Sequence, residues 1–311
     1  MQPMPRRRAL ATGLAALTGL AVSGLAVRSA FAQASRYGRI ARRESQYNTI
    51  FIDRDGPYIA MRFGVNEYLF TESLYNPADP TELPVTYTRY LTAALAYAAG
   101  ASNILEIGLG GGRTASYLHD FVPGATITCA ELDPEVIAFA RQYFDVRPGP
   151  RLQLVERDGR IFTRATRDRY DVIIVDAYRG TFVPFHLTTR EFFQGVKRKL
   201  APGGVMAQNI SPDVLSEPDI TATLKAVFDH VDRYQAEGNV VLMAYDGPAK
   251  TQAQLNARAA AVRTSRPLRY SLPQMIAQRR ADIPAGRGRV LTDDFAPVEY
   301  HGAINRGNER R

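Results

Sequence analysis

N-I-L-E-I-G-L-G-G-G-R-T-A-S-Y-L, residues 103–118, followed by T-I-T-C-A-E-L-D-P, residues 126–134, decides how this chain folds. Ile104, Leu105 and Ile107 form a short apolar run that ends in Gly108, Gly110, Gly111 and Gly112. Ala115, Leu118 and Phe121 then recur at a spacing of three. A buried parallel strand that turns through glycines into a helix has this pattern. A second apolar segment, Ala125 to Ala130, ends in Glu131, which lies 23 residues after Gly108. That is where a nucleoside-binding βαβ unit puts the carboxylate that holds the ribose hydroxyls. A glycine turn alone also fits a purely structural bend, and the acid at the next strand tip favours a nucleoside site. No Gly-Lys-Ser/Thr follows, and Arg113 stands where a third glycine of G-x-G-x-x-G would be. The pattern therefore favours an adenosyl group without phosphate, lying against the glycines.

Outward from this unit the alternation of strand and helix continues. Asp133-Pro134 starts a helix to about Tyr143, Leu152–Val155 reads as a strand ending at Asp158-Gly159, and Tyr170–Val175 as a strand ending at Asp176. An irregular loop (177–188), a helix (Thr189–Leu200), a strand (Val205–Asn209), a helix opened by Ser216 and a closing β pair (234–236 with 240–245) follow. Such alternation predicts a mostly parallel sheet with helices on both faces, its ligand outside the carboxyl ends of the strands. Gly108–Gly112, Glu131, Asp158 and Asp176 all fall at those ends. Upstream, Tyr47–Ile52, Tyr58–Phe63 and Tyr68–Thr71 read as a small antiparallel sheet, and Tyr87–Ala99 as a helix. The expected organisation is an export signal (1–32), a small N-terminal β domain (33–78), a Rossmann-like domain (79–250) and a basic C-terminal helical extension (251–311).

The first of these rests on Arg6-Arg7 with Leu10, a diluted apolar run of 16 residues from Ala11 to Ala26, and Ala30-Phe31-Ala32 before Gln33. That run is short for a transmembrane helix, and the pattern fits a twin-arginine-like signal to the periplasm, cleaved after Ala32. A cytoplasmic chain or one anchored by an uncleaved leader is the alternative. Removing the signal's four arginines would take the formal charge from +8 to +4. Eleven of the remaining basic residues lie in the last 61, against five acids. The basicity thus sits in the tail rather than in an aromatic-lined groove, so nucleic acid is not an expected partner. The single cysteine, Cys129, and four unpaired histidines suggest no metal.

With these residues in place, the chain resembles the spermidine synthase (polyamine aminopropyltransferase) family from about Ser45 to Asn209. The resemblance is carried by I-G-L-G-G-G, E-L-D-P, R-D-G-R-I-F, Y-D-V-I-I-V-D, L-T-T-R-E-F-F and P-G-G-V, with a weaker echo in 291–299. It implies a class I methyltransferase-like fold and decarboxylated S-adenosylmethionine, or S-adenosylmethionine itself, as co-substrate. Gly108, Gly110, Gly112, Glu131, Asp158 and Gly159 would bind it, Glu131 through the ribose and Asp158 through the adenine amino group. Asp176 would orient the attacking amine and accept its proton; its other reading is a strand-end acid that only caps the loop. Tyr87, Tyr178 and Arg179 would line the acceptor pocket, although aromatic filling accounts equally for the tyrosines, and His186 reads as a loop hydrogen-bonder. The expected partner is a small-molecule amine, with room for a homodimer.

Three departures stand out. Gly111 replaces the aspartate of the family's G-G-G-D-G-G, Arg179 replaces a second aspartate, and Arg89 stands where the family has an acid. A polycationic acceptor wants carboxylates, so these changes argue against putrescine and would suit an acidic acceptor if both arginines face the pocket. Three readings remain: an aminopropyltransferase-like enzyme, a methyltransferase, and a non-catalytic nucleoside-binding protein. Export to a compartment without the donor would favour the last, unless the donor binds before a folded-protein translocation.

Overall fold

Ile104 to Ile107 become the central strand of the molecule because they are apolar on both sides. In the computed structural model of the chain, which describes residues 37–65, 68–180, 182–211, 217–284 and 286–294, strand β5 (Asn103–Ile107) is flanked in parallel by β6 (Thr126–Glu131) and β8 (Tyr170–Val175). Ile104, Val172 and Ile174 pack into one core layer, and Leu105, Ile107, Ile173 and Val175 into the other. Period-two alternation with both faces apolar is what a sheet covered on both sides demands. Each such side chain contributes about 1.5–3 kcal/mol of burial free energy.

With β7 (Leu152–Glu156), β9 (Leu200–Ile210), β10 (His230–Ala236) and β11 (Asn239–Tyr245), the sheet has seven strands in the order β10-β11-β9-β8-β5-β6-β7. β11 runs antiparallel to both its neighbours, and the other pairings are parallel. The chain moves outward from β5 through β6 to β7 and returns to β8 on the other side of β5. That reversal opens a crevice at the carboxyl ends of β5, β6 and β8. Helix starts follow local rules: Asp133 caps Pro134–Tyr143 by accepting from the Glu135 amide at 3.0 Å, and Thr251 forms a capping box with Gln254.

The N-terminal sheet has four strands, β1 (Tyr37–Glu44), β2 (Thr49–Asp55), β3 (Tyr58–Val65) and β4 (Tyr68–Tyr75), paired in sequence order. β1 was not expected: it is an exposed edge strand rich in arginine, with no apolar alternation to reveal it. The helix expected over Tyr87–Ala99 is instead two short ones, Thr86–Leu91 and Ala94–Tyr97. A helix at Gly159–Ala165 was also unexpected. Ser45 Oγ and Asn48 Nδ2 donate to Asp133 Oδ2 at 2.5 and 3.2 Å, tying the small sheet to the tip of β6. Beyond the main sheet, Leu255, Ala259 and Val262 of the helix Gln252–Ser265 are buried against the first core layer.

The export signal and the residues after Asp294 lie outside the described residues, as does Ser216. Among the described residues no helix is long and apolar enough to cross a membrane.

Candidate active site

Gly108 stands where two strand tips meet. Its φ is +91°, and a Cβ there would lie 2.4 Å from the carbonyl oxygen of Asp176. No other residue fits that backbone without displacing β8. The Gly108 amide donates to Ala130 O and the Asp176 amide to Ile107 O, both at 2.9 Å, so the ends of β5, β6 and β8 are stitched together. Gly159 approaches the same point: its Cβ would lie 2.2 Å from Ile107 Cγ2. A Cβ on Gly110 would meet nothing within 4 Å, because this glycine borders an open cavity of about 400 Å³.

That cavity collects nine of the ten residues singled out by sequence: Gly108, Gly110, Glu131, Asp158, Gly159, Asp176, Tyr87, Tyr178 and Arg179. Gly112 is the exception. It begins the helix Arg113–Phe121 in a left-handed conformation, φ +64°, with a Cβ position 2.6 Å from Val146 Cγ2. Its place is behind the loop, where it starts the helix and is not part of the cavity wall.

At one end of the cavity the carboxylates are well partnered. Glu131 Oε2 accepts from the Leu109 amide at 2.8 Å and Oε1 from the Asp133 amide at 2.9 Å. Burial pushes its carboxyl up, and these amides work against the rise. The acid thus clamps the glycine loop and retains lone pairs for a vicinal diol. Asp158 caps the helix Gly159–Ala165 through Ile161 N at 2.9 Å and meets His186 Nε2 at 2.8 Å. Burial would raise its carboxyl, yet the His186 and Ile161 hydrogen bonds prevail and hold it below the usual value. His186, on the loop after β8, is therefore a hydrogen-bonding link across the cavity mouth.

At the other end the acids are held by side chains rather than by backbone amides. Asp176 Oδ1 accepts from Asn209 Nδ2 at 2.8 Å and the carboxyl also bonds the Tyr87 hydroxyl. Burial outweighs both and lifts it to about 6. Tyr87 is pushed well above its ordinary value by burial and by the Asp176 charge. Two further acids line this end that sequence reasoning missed, Glu72 and Glu106. Both carboxyls are pushed well up, first by burial and then by Asp176. Glu106 is 2% exposed on β5 and accepts a long 3.9 Å contact from Cys129 Sγ. It was detectable as the lone charge in the apolar run I-L-E-I. Asn209 at the end of β9 was also missed.

The arginines divide. Arg179 lies on the cavity rim and is exposed. Arg89 turns away: its Nε donates to Leu83 O at 2.8 Å and its guanidinium covers the Tyr270 ring at 4.6 Å. The condition that both face the pocket is not met, because the helix Thr86–Leu91 points Tyr87 inward and Arg89 outward. Arg113 is buried, donating to Phe144 O at 2.8 Å and to Pro80 O, with Tyr75 beneath it. It also lines the cavity, and its Nε finds no partner among the described residues. The end at Asp176 is thus lined by three carboxylic acids, Glu72, Glu106 and Asp176.

A family model described as "Spermine/spermidine synthase domain" matches residues 86–244. The chain is 34% identical over 179 residues to the polyamine aminopropyltransferase of Chromobacterium violaceum, covering 56% of this chain and 69% of that protein. Its fold resembles a probable spermidine synthase from Corynebacterium glutamicum, with a TM-score of 0.65 at 24% identity over 83% of this chain and 97% of that one. It also resembles human methyltransferase-like protein 13 in complex with SAH, with a TM-score of 0.52 at 23% identity over 69% of this chain and 98% of that one.

Proposed function

Because the chain belongs to the spermine/spermidine synthase family, we propose that it transfers an aminopropyl group from decarboxylated S-adenosylmethionine to a primary amine. The observation that carries this reading is the division of one cavity into a clamped, well-partnered end at Glu131 and Asp158 and an acid-rich end at Asp176. Adenosine would lie along Gly108–Gly110, its ribose hydroxyls on Glu131 and its amino group near Asp158. The sulfonium would then face Asp176. The amine lone pair attacks the methylene next to sulfur, the carbon–sulfur bond breaks, and its electrons return to sulfur as a neutral thioether. Asp176 orients the amine and takes the proton released by the new ammonium, while its charge favours the cationic donor. The loop 177–188 supplies Tyr178 and His186 over the site and would exclude water.

A second reading, methyl transfer from intact S-adenosylmethionine, is supported by the likeness to a methyltransferase fold. One assay separates them. Incubated with decarboxylated S-adenosylmethionine and a primary diamine, the protein should release 5′-methylthioadenosine. Release of S-adenosylhomocysteine from S-adenosylmethionine, with no methylthioadenosine, would select the second reading. Asp176→Asn should lower turnover by about 10²–10⁴-fold. In the native enzyme, activity should fall as pH drops through about 6, where Asp176 takes up its proton.

A further inference from the structure

Three strand tips carry a polar residue where the pattern of their strands calls for an apolar one. Val172 and Ile174 of β8, Val205 and Ala207 of β9, and Tyr245, Met243 and Val241 of β11 all pack into the first core layer. Side chains alternate with a period of two, so the next residue on each of these faces is Asp176, Asn209 and Asn239. β8 and β9 run parallel with Val175 opposite Gln208, which brings Asp176 beside Asn209. β9 and β11 run antiparallel with Asn209 opposite Val241, which leaves Asn239 as its diagonal neighbour on the same face.

The row is a chain of hydrogen bonds. Asn239 Nδ2 donates to Asn209 Oδ1 at 3.0 Å, and Asn209 Nδ2 donates to Asp176 Oδ1 at 2.8 Å. Its direction follows from its last member. An ionised carboxylate only accepts, so Asn209 must turn its NH₂ to Asp176 and its carbonyl away. That carbonyl belongs to a residue 1% exposed and needs a donor, which Asn239 supplies. Asp176 lies in the cavity wall, whereas the two asparagines stand behind it.

We propose that Asn209 and Asn239 are positioning residues for Asp176, an oriented pair of amides that fixes Asp176 Oδ1 to the sheet and so sets how the carboxylate meets the incoming amine. This deepens the function proposed above and rests on its assignment of Asp176 as the proton acceptor. A general base must be both aimed and ionised. The Asn209 bond does both, since it offsets part of the rise that burial imposes on Asp176. The other titratable and charged groups around Asp176 are Glu72 on β4, Glu106 on β5, Tyr87 on the helix Thr86–Leu91, and Tyr178 and Arg179 on the loop that follows β8. A substitution at Asn239 leaves all of them in place.

The test follows release of 5′-methylthioadenosine from decarboxylated S-adenosylmethionine and 1,4-diaminobutane as a function of pH. In the native chain the acid limb of kcat/KM should have its midpoint at about 6. Asn239→Ala leaves Asn209 free to turn and weakens its donation, which raises the Asp176 carboxyl and moves the limb to higher pH. The expected shift is about 0.5 pH unit, with kcat lower by about three- to tenfold and KM for the adenosyl donor within about twofold. Asn209→Ala removes the direct donor and should shift the limb further. Asn239→Asp keeps the shape without a donor, so it should shift the limb at least as far as Asn239→Ala, and it carries the test if the alanine variant does not fold. Gln235 donates to Asn239 O and Glu237 O in the β10–β11 turn, so Gln235→Ala loosens that hairpin without touching the pair. It should leave the limb where it is. If the limb does not move in the Asn239 variants, or moves equally in Gln235→Ala, the pair only supports the fold and the proposal fails while the transfer reading stands. If the native chain releases no methylthioadenosine at any pH, the transfer reading falls and this inference with it.

Discussion

The two ends of the cavity hold acids of the same chemical kind in opposite circumstances. Glu131 and Asp158 sit at strand tips with hydrogen bonds on both carboxylate oxygens, donated by backbone amides and by His186. Glu72, Glu106 and Asp176 line the other end: Asp176 bonds Asn209 and Tyr87, Glu72 Oε1 has no partner among the described residues, and burial raises all three, as it also raises Glu131. Partnered acids hold geometry, because their hydrogen bonds exist before any ligand arrives. Buried acids whose partners do not offset burial store an electrostatic demand that a cation can meet. The difference gives the cavity a direction, from an end clamped by backbone amides to an end lined by three buried acids.

Breaking the partnered end should have the largest effect. Glu131→Gln removes the charge and sets an amide NH₂ against one of two backbone N–H donors, at Leu109 or Asp133. Losing charge-assisted bonds worth about 1.5–3 kcal/mol should weaken 5′-methylthioadenosine by about 10–100-fold, read by calorimetry. An unchanged affinity would mean that Glu131 clamps the loop without touching the ligand.

The unpartnered end should instead show itself as instability that depends on pH. The folded chain holds the Glu106 carboxyl well above its unfolded value. A group raised in this way adds its stability below the unfolded value, and that contribution is lost as pH rises toward the folded one. Glu106→Gln should therefore melt at about the native temperature near pH 4. Toward neutral pH it should gain on the native chain, by about 1.4 kcal/mol or roughly 3 °C per pH unit. Parallel melting curves for the two chains would remove Glu106 from the account.

The smallest effect sharpens the contrast from outside the cavity. Arg89→Ala removes the stacking on Tyr270 and the bond to Leu83 O. It should cost about 1–2 kcal/mol of stability and leave kcat/KM within about twofold for any acceptor. A large change in acceptor preference would bring Arg89 back to the pocket.

Which of these residues could be read in advance follows from how each is encoded. Gly108, Glu131, Asp158 and Asp176 were legible because each ends a short apolar run, and a parallel sheet brings such ends to one edge. Arg89 fails the condition of facing the pocket because it stands two positions after Tyr87, and in the helix Thr86–Leu91 that offset is enough to turn one inward and the other outward. Gly112 was grouped with its neighbours by composition, but its left-handed φ serves the start of a helix. β1 escaped notice because an exposed edge strand needs no apolar alternation.

Local pattern by itself determined the family, the seven-strand alternation and the glycine-and-acid end of the cavity, because strand tips, glycines and their acids are adjacent in the chain. Only the tertiary structure decided which charged groups meet at the Asp176 end. Glu72 reaches the cavity through a bulge in another sheet, and Arg113 is held by carbonyls from distant turns. Side-chain direction and hydrogen-bond satisfaction are properties of assembled neighbours, and neither is written in the spacing of residues along a strand.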